Sequence, residues 1–256
     1  MTQGFVNVNG ARLWYEDTGL ASGPAVTFVH AGICDHRRWD TQMAAFATKY
    51  RVIRFDMRGF GESALPAGPV SLSDDLGSLL DSLGVERSAV IGCSMGGGAA
   101  LDFTLKQPQR VSALVLVGAG MGDGPRDLAP EEQPIIAEME AAEQAGDVER
   151  LNAAEIRLWE DGPNRTPEQV APGVRALVAE MNLANNRRAA EWVKSQPQPL
   201  DPPAAQRLGE VHAPTLVIVG GDDTLAVRTT ADLLAAGIAD TRRVVMPGLT
   251  QVYANN

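Results

Sequence analysis

The fold is decided by Ile91-Gly92-Cys93-Ser94-Met95-Gly96-Gly97. A short apolar run, Ala89–Ile91, leads into Gly-x-Ser-x-Gly, and a helical pattern, Met95 to Gln107, starts at once behind the serine. A strand that meets a helix with a single serine between them forces that serine into a strained turn. The residues two before and two after it must then be small. Gly92 and Gly96 meet that demand, and the first N–H groups of the helix face the serine oxygen, where they favour developing negative charge.

Outward from this turn, near-continuous apolar runs recur, of the kind buried on both faces of a parallel sheet. They are Val26–Val29, Val52–Phe55, Leu114–Val117, Leu216–Val219 and Val244–Met246. Phe5–Val8 and Arg12–Glu16 flank Asn9-Gly10, a strong hairpin signal. Trp39, Met43 and Phe46, and then Leu76, Leu79, Leu80 and Leu83, recur at helical spacing between strands, with Gly84 as a stop. A hairpin followed by β-α repeats predicts an α/β fold with a doubly wound, mostly parallel sheet. The repeat breaks between Met121 and Leu208, where no strand-like run is found. Helical patterns at Glu131–Gln144, Val148–Glu160 and Thr166–Asn185 predict a helical cap insertion over residues 121–208, with the core at 1–120 and 209–256.

A net charge of −10 excludes the basic clustering that nucleic acid or an anionic membrane rewards. No apolar run approaches the ~20 residues of a membrane helix, and Met1-Thr2-Gln3-Gly4-Phe5 has no features of a signal peptide. Cys34 and Cys93 are too few for a disulfide framework and lack metal-ligand spacing. A cytoplasmic protein without cofactor or metal is expected.

The order of motifs resembles the α/β-hydrolase superfamily, and within it the small bacterial esterases, enol-lactonases and cofactor-free haloperoxidases. Besides the serine turn, Val29-His30-Ala31-Gly32 is similar to the family's His-Gly turn, with Ala in place of the first Gly. Asp56-Met57-Arg58-Gly59-Phe60-Gly61-Glu62-Ser63 is similar to its D-x-R-G-x-G-x-S segment. The resemblance implies Ser94 as nucleophile and an oxyanion hole from the N–H groups of Met95 and Gly32, with Ile33 as the alternative to Gly32. His30 is expected to brace its loop, and Asp56 and Arg58 to pair locally. The family's carboxylate falls three residues past the glycine ending its strand, which gives Asp223 rather than Asp222, in the role of orienting a histidine.

That histidine is missing. Relatives carry Pro-Gly-x-x-His after the last core strand, whereas this chain reads Pro247-Gly248-Leu249-Thr250-Gln251. An amide neither takes nor gives a proton near neutral pH, so Gln251 cannot be a general base. Of the three histidines, His212 precedes the strand Leu216–Val219 and lies about 20 Å from the site at ~3.3 Å per residue. His36 lies at the correct sheet edge and is a remote candidate for substitution. The chain ends at Asn256, five residues after Gln251. Without a terminal helix to cover the sheet, it is expected to self-associate, as in a homodimer, or to lose stability.

The expected function is hydrolysis of a small acyl substrate, an ester or lactone, impaired at Gln251. Trp159, Trp192, Leu158 and Met181 are candidate acyl contacts, with about half expected to serve only as packing. The alternatives are an inactive ligand-binding protein on the same fold, or a cofactor-free enzyme of another class such as a lyase.

Overall fold

The computed structural model describes residues 1–250. Strands β1 (Thr2–Val8) and β2 (Ala11–Gly19) form the expected hairpin, with Asn9 and Gly10 both at positive φ, as a two-residue turn of the right hand for twisted strands requires. Then come β3 (Ala25–Val29), α1 (Asp40–Phe46), β4 (Arg51–Phe55), the short β5 (Gly68–Val70), α2 (Leu72–Ser82), β6 (Ser88–Cys93), α3 (Met95–Lys106) and β7 (Val111–Val117). After an insertion the core resumes with β9 (Thr215–Gly220), α8 (Leu225–Gly237) and β10 (Thr241–Met246).

Eight strands form one sheet in the order β1-β2-β4-β3-β6-β7-β9-β10, antiparallel at its first two pairings and parallel from β4 onward. Strand β6 sits inside it, between β3 and β7, so the serine turn emerges at the sheet's centre. The alternation of buried apolar residues accounts for the layers. Leu76, Leu79, Leu101, Phe103 and Leu234 from α2, α3 and α8 join one core cluster. Trp39 and Met43 join another with Phe28 and Val52, into which the insertion sends Ile156, Val178 and Met181.

The insertion contains α4 (Gln133–Ala145), α5 (Val148–Ile156), a π-helical turn Arg157–Asp161, α6 (Pro172–Asn186) and α7 (Ala189–Trp192). It also contains a strand the sequence did not signal. This is β8 (Ser195–Pro197), which pairs in parallel with β5 as a separate two-stranded sheet. Three residues with a proline are too short and too irregular to carry an alternating pattern, and only the partner segment 127 positions earlier, by the pairings Gly68↔Ser195 and Val70↔Pro197, reveals it. No helix among the described residues is long and apolar enough to cross a membrane.

Candidate active site

Ser94 sits between β6 and α3 with φ 51° and ψ −117°, a left-handed conformation that side chains rarely adopt. Its neighbours hold it there. The Ser94 N–H donates to the Val117 carbonyl at 3.0 Å, and the Ser94 carbonyl accepts from Gly98 at 3.1 Å and Gly120 at 3.0 Å. The glycines are required by close approach. A Cβ on Gly92 would lie 2.4 Å from the Gly96 carbonyl oxygen, and one on Gly96 would lie 2.4 Å from that of His30. Helix α3 thus starts pressed against the ends of β3 and β6.

Beside it, the turn Ala31–Cys34 is closed by the Cys34 N–H on the Ala31 carbonyl at 3.0 Å, with Gly32 and Ile33 at its centre. Gly32 faces Met95 closely, since a Cβ there would lie 2.9 Å from Met95 Cε. The Met95 N–H belongs to the first turn of α3 and has no acceptor within the helix. His30, fully buried, donates from Nδ1 to the Ala31 carbonyl (2.8 Å) and accepts at Nε2 from the Met57 N–H (2.9 Å). A carbonyl can only accept and an amide N–H only donate, so these partners fix one neutral tautomer. Burial holds the imidazole pKa below its ordinary value. His30 is therefore a strut between the turn and the segment after β4.

Two strands from β6, the loop after β9 turns Asp223 inward and leaves Asp222 half-buried. Asp223 is buried, and its Oδ2 accepts from the Gly220 N–H at 2.7 Å. The last described turn packs beside it. Asp222 N–H donates to the Leu249 carbonyl at 3.0 Å, and Thr250 Oγ1 donates to the Glu160 carbonyl at 2.8 Å. Gln251 lies outside the described residues.

The D-x-R-G segment departs from expectation. Arg58 pairs with Asp75 of α2 (Nη2 to Oδ1, 2.7 Å; Nε to Oδ2, 2.8 Å), and Asp56 instead receives His36 Nδ1 at 2.9 Å and the Glu62 N–H at 2.9 Å. Asp56 and Arg58 sit at alternate places on a tight turn, so each reaches a partner from a different element. His36 also stacks on Trp14 of β2 at 3.8 Å between centroids. That is three strands from β6, about 14 Å at 4.7–4.9 Å per strand. The imidazole is thus held away from Ser94. Asp35, His36 and Asp56 bring ligand-type atoms within 4.8 Å of one another. Asp35 is already engaged by Arg37 and Asp56 by His36.

A cavity of about 710 Å³ lies over Ser94. Trp159 and Trp192 of the insertion line it, whereas Leu158 and Met181 are buried in packing. Sequence reasoning missed two buried ionisable side chains, Arg38 and Glu160. Arg38, 1% exposed, lies beside the Cys93 thiol, and none of its nitrogens has a hydrogen-bonding oxygen among the described residues. Glu160 in the π-helical turn is 0% exposed, and neither of its oxygens has a partner among them. Burial pushes the Glu160 pKa up to about 7, although the Arg38 charge opposes the shift, and burial likewise pushes the Cys93 thiol up to about 11. Doubled basic residues before Trp39 and a mid-helix glutamate are the only signals, and each by itself resembles a solvated face.

Against known proteins, residues 24–248 match the model of the alpha/beta hydrolase fold. A 2-hydroxy-6-oxononadienedioate/2-hydroxy-6-oxononatrienedioate hydrolase of Burkholderia vietnamiensis is 32% identical over 237 residues, covering 87% of this chain and 80% of that protein. The 3-oxoadipate enol-lactonase 1 of Acinetobacter baylyi is 25% identical, covering 89% and 82%. The crystal structure of the enol-lactonase from Burkholderia xenovorans LB400 superposes with a TM-score of 0.74 at 24% identity, covering 97% of this chain and 93% of that one, a likeness of fold. With a matched model spanning residues 24–248, this protein belongs to the α/β-hydrolase fold family.

Proposed function

We propose that the chain is a serine hydrolase of small carboxylic esters or lactones, with Ser94 as nucleophile. The observation that carries this reading is Ser94 held at φ 51° on the wall of the 710 Å³ cavity, at the start of α3. Ser94 Oγ attacks the carbonyl carbon, and the electron pair displaced onto oxygen is received by the N–H groups of Met95 and Gly32. The serine proton passes to solvent and the leaving alkoxide takes one up from it; water then cleaves the acyl-serine bond, giving the carboxylic acid and the free serine hydroxyl. The insertion, residues 121–208, acts as the cap, with Trp159 and Trp192 against the acyl group. Support also comes from the relatives, which are named as a hydrolase and a lactonase.

The serine proton needs an acceptor. In this reading Asp223 is the orienting carboxylate, but the residue it would orient is Gln251, which cannot act as a base. Activity is therefore residual. Loss of a triad base costs about 10⁴–10⁶ in kcat, while the oxyanion hole and binding retain ~10³–10⁴ over water. A second reading, a ligand-binding protein without turnover, is favoured by the three histidines. His30 is bound into its turn, His36 is bound to Asp56, and His212 precedes β9 at the far end of that strand. A fluorophosphonate probe followed by mass spectrometry separates the two. Mass added at Ser94, and lost in Ser94→Ala, supports the hydrolase. An unlabelled Ser94 with retained ligand binding supports the other.

A further inference from the structure

The cavity does not end at Ser94. It follows one face of α3, along which Ser94, Met95, Gly98, Ala99 and Asp102 all line it, at the spacing that places residues on one side of a helix. From Ser94 to Asp102 the helix rises about 12 Å at 1.5 Å per residue. On α3 itself the residues between them are Met95, Gly98 and Ala99, and Trp159, Trp192 and Leu72 add apolar surface to a lining that Ser71, Ser73 and Gln198 make partly polar. Asp102 then places a carboxylate at the end of that apolar stretch.

This carboxylate has no hydrogen bond or ion pair among the described residues, although cations stand near it. Lys106, on its own helix, is bound to Asp74 of α2 at 2.8 Å. Arg207 is bound to Glu210 at 2.8 Å and to the Leu105 carbonyl. Arg126, which lines the same cavity, gives a hydrogen bond to the Gly122 carbonyl. Asp123 faces Asp102 from the loop after β7, where its own oxygen accepts from the Ala205 N–H, and with Asp74 it adds negative charge. Each nearby cation has another partner, and half-buried Asp102 keeps an open side on the cavity.

We propose that Asp102 is the specificity determinant of a distal subsite, and that the substrate is an elongated acyl compound whose far end carries a hydrogen-bond donor, bound most strongly as a protonated amine. The inference rests on the reading of the cavity as the acyl site. Burial raises the pKa of half-buried Asp102 to about 6, which agrees with a carboxyl that has lost part of its water without gaining a partner. The amine would be recognised by the ionised form, above that pH.

Binding is measured by titration calorimetry with octanamide and ω-aminooctanamide, which need no turnover. At pH 8 the amine-bearing ligand binds about tenfold tighter, as expected for a hydrogen bond between charged groups. The preference disappears at pH 5, and in Asp102→Asn at pH 8, while octanamide affinity in that variant is unchanged and reports an intact cavity. The pH comparison uses the unaltered chain, so it stands whatever the variant does. Equal affinities at pH 8, or a preference that survives in Asp102→Asn, overturn the subsite, as does failure of either ligand to bind. Fluorophosphonate labelling of Ser94 is independent of all these results, and its failure would count against the nucleophile alone.

Discussion

Glu160 should make the protein lose stability as the solution becomes alkaline, and Glu160→Gln should remove that loss. The carboxyl is 0% exposed, lacks any hydrogen-bond donor among the described residues, and has its pKa raised from 4.5 to about 7. The folded state therefore holds the proton more tightly than the unfolded one. No penalty exists below pH 4.5. It grows as pH rises toward 7 and is constant above that. At 1.36 kcal/mol per pKa unit the full effect is about 3 kcal/mol, of which roughly 2.5 kcal/mol falls between pH 5 and pH 8. Other raised carboxyls, Asp102 among them, act in both proteins and cancel in the difference. Urea melts of the unaltered chain and of Glu160→Gln at the two pH values measure it directly. In thermal melts the same difference is about 5–10 °C, at ~2–4 °C per kcal/mol for a protein of this size. Curves that run parallel from pH 5 to pH 8 would refute the reasoning, because Glu160 would then be ionised at little cost in both states.

Gln251→His should raise hydrolysis of an activated aryl ester at least about a hundredfold in initial-rate assays, a small part of the 10⁴–10⁶ that a missing base costs. In that background Asp223→Asn should erase the gain and Asp222→Asn should leave most of it; the opposite ranking would place the orienting carboxylate one residue earlier. Ser94→Gly should abolish turnover yet stabilise the fold by about 1 kcal/mol in denaturant melts, since glycine adopts φ 51° without strain. Gly96→Ala should yield insoluble protein or a melting temperature far below the parent's, because its Cβ would meet the His30 carbonyl oxygen, a backbone atom, at 2.4 Å.

What could be read from the sequence was whatever depends on near neighbours. The Asn9-Gly10 hairpin, the leucine spacing of α2 and the strand–serine–helix turn each lie within a few residues, where propensity and steric demand act directly. His30 as a strut was legible because the turn around it was. What could not be read depends on juxtaposition. Arg58 finds Asp75 rather than Asp56 because α2 passes over the turn, which no spacing within the motif encodes. Arg38 and Glu160 are brought together only when the insertion folds back over α1's approach, and each looks like an ordinary surface charge until then. Asp102 is similar: on α3 alone it is one more polar position, and only the cavity wall gives it a direction.

The small ladder between β5 and β8 forms part of the cavity wall. Val70 and Pro197, paired across it, both line the cavity, and Ser71, Leu72 and Ser73 on one side and Gln198 and Pro199 on the other continue that wall. Main-chain pairing therefore clips the trailing end of the insertion to the core where the cavity runs past Asp102. The opposite margin is held by side chains alone, with Glu132 at the start of α4 accepting from the Leu225 N–H and Ile156 of α5 set into the core beneath. Ligand exchange should then proceed by tilting α4 and α5 while the clipped margin stays still, so amides of α4 and α5 should exchange with solvent deuterium well before those of Gly68–Val70.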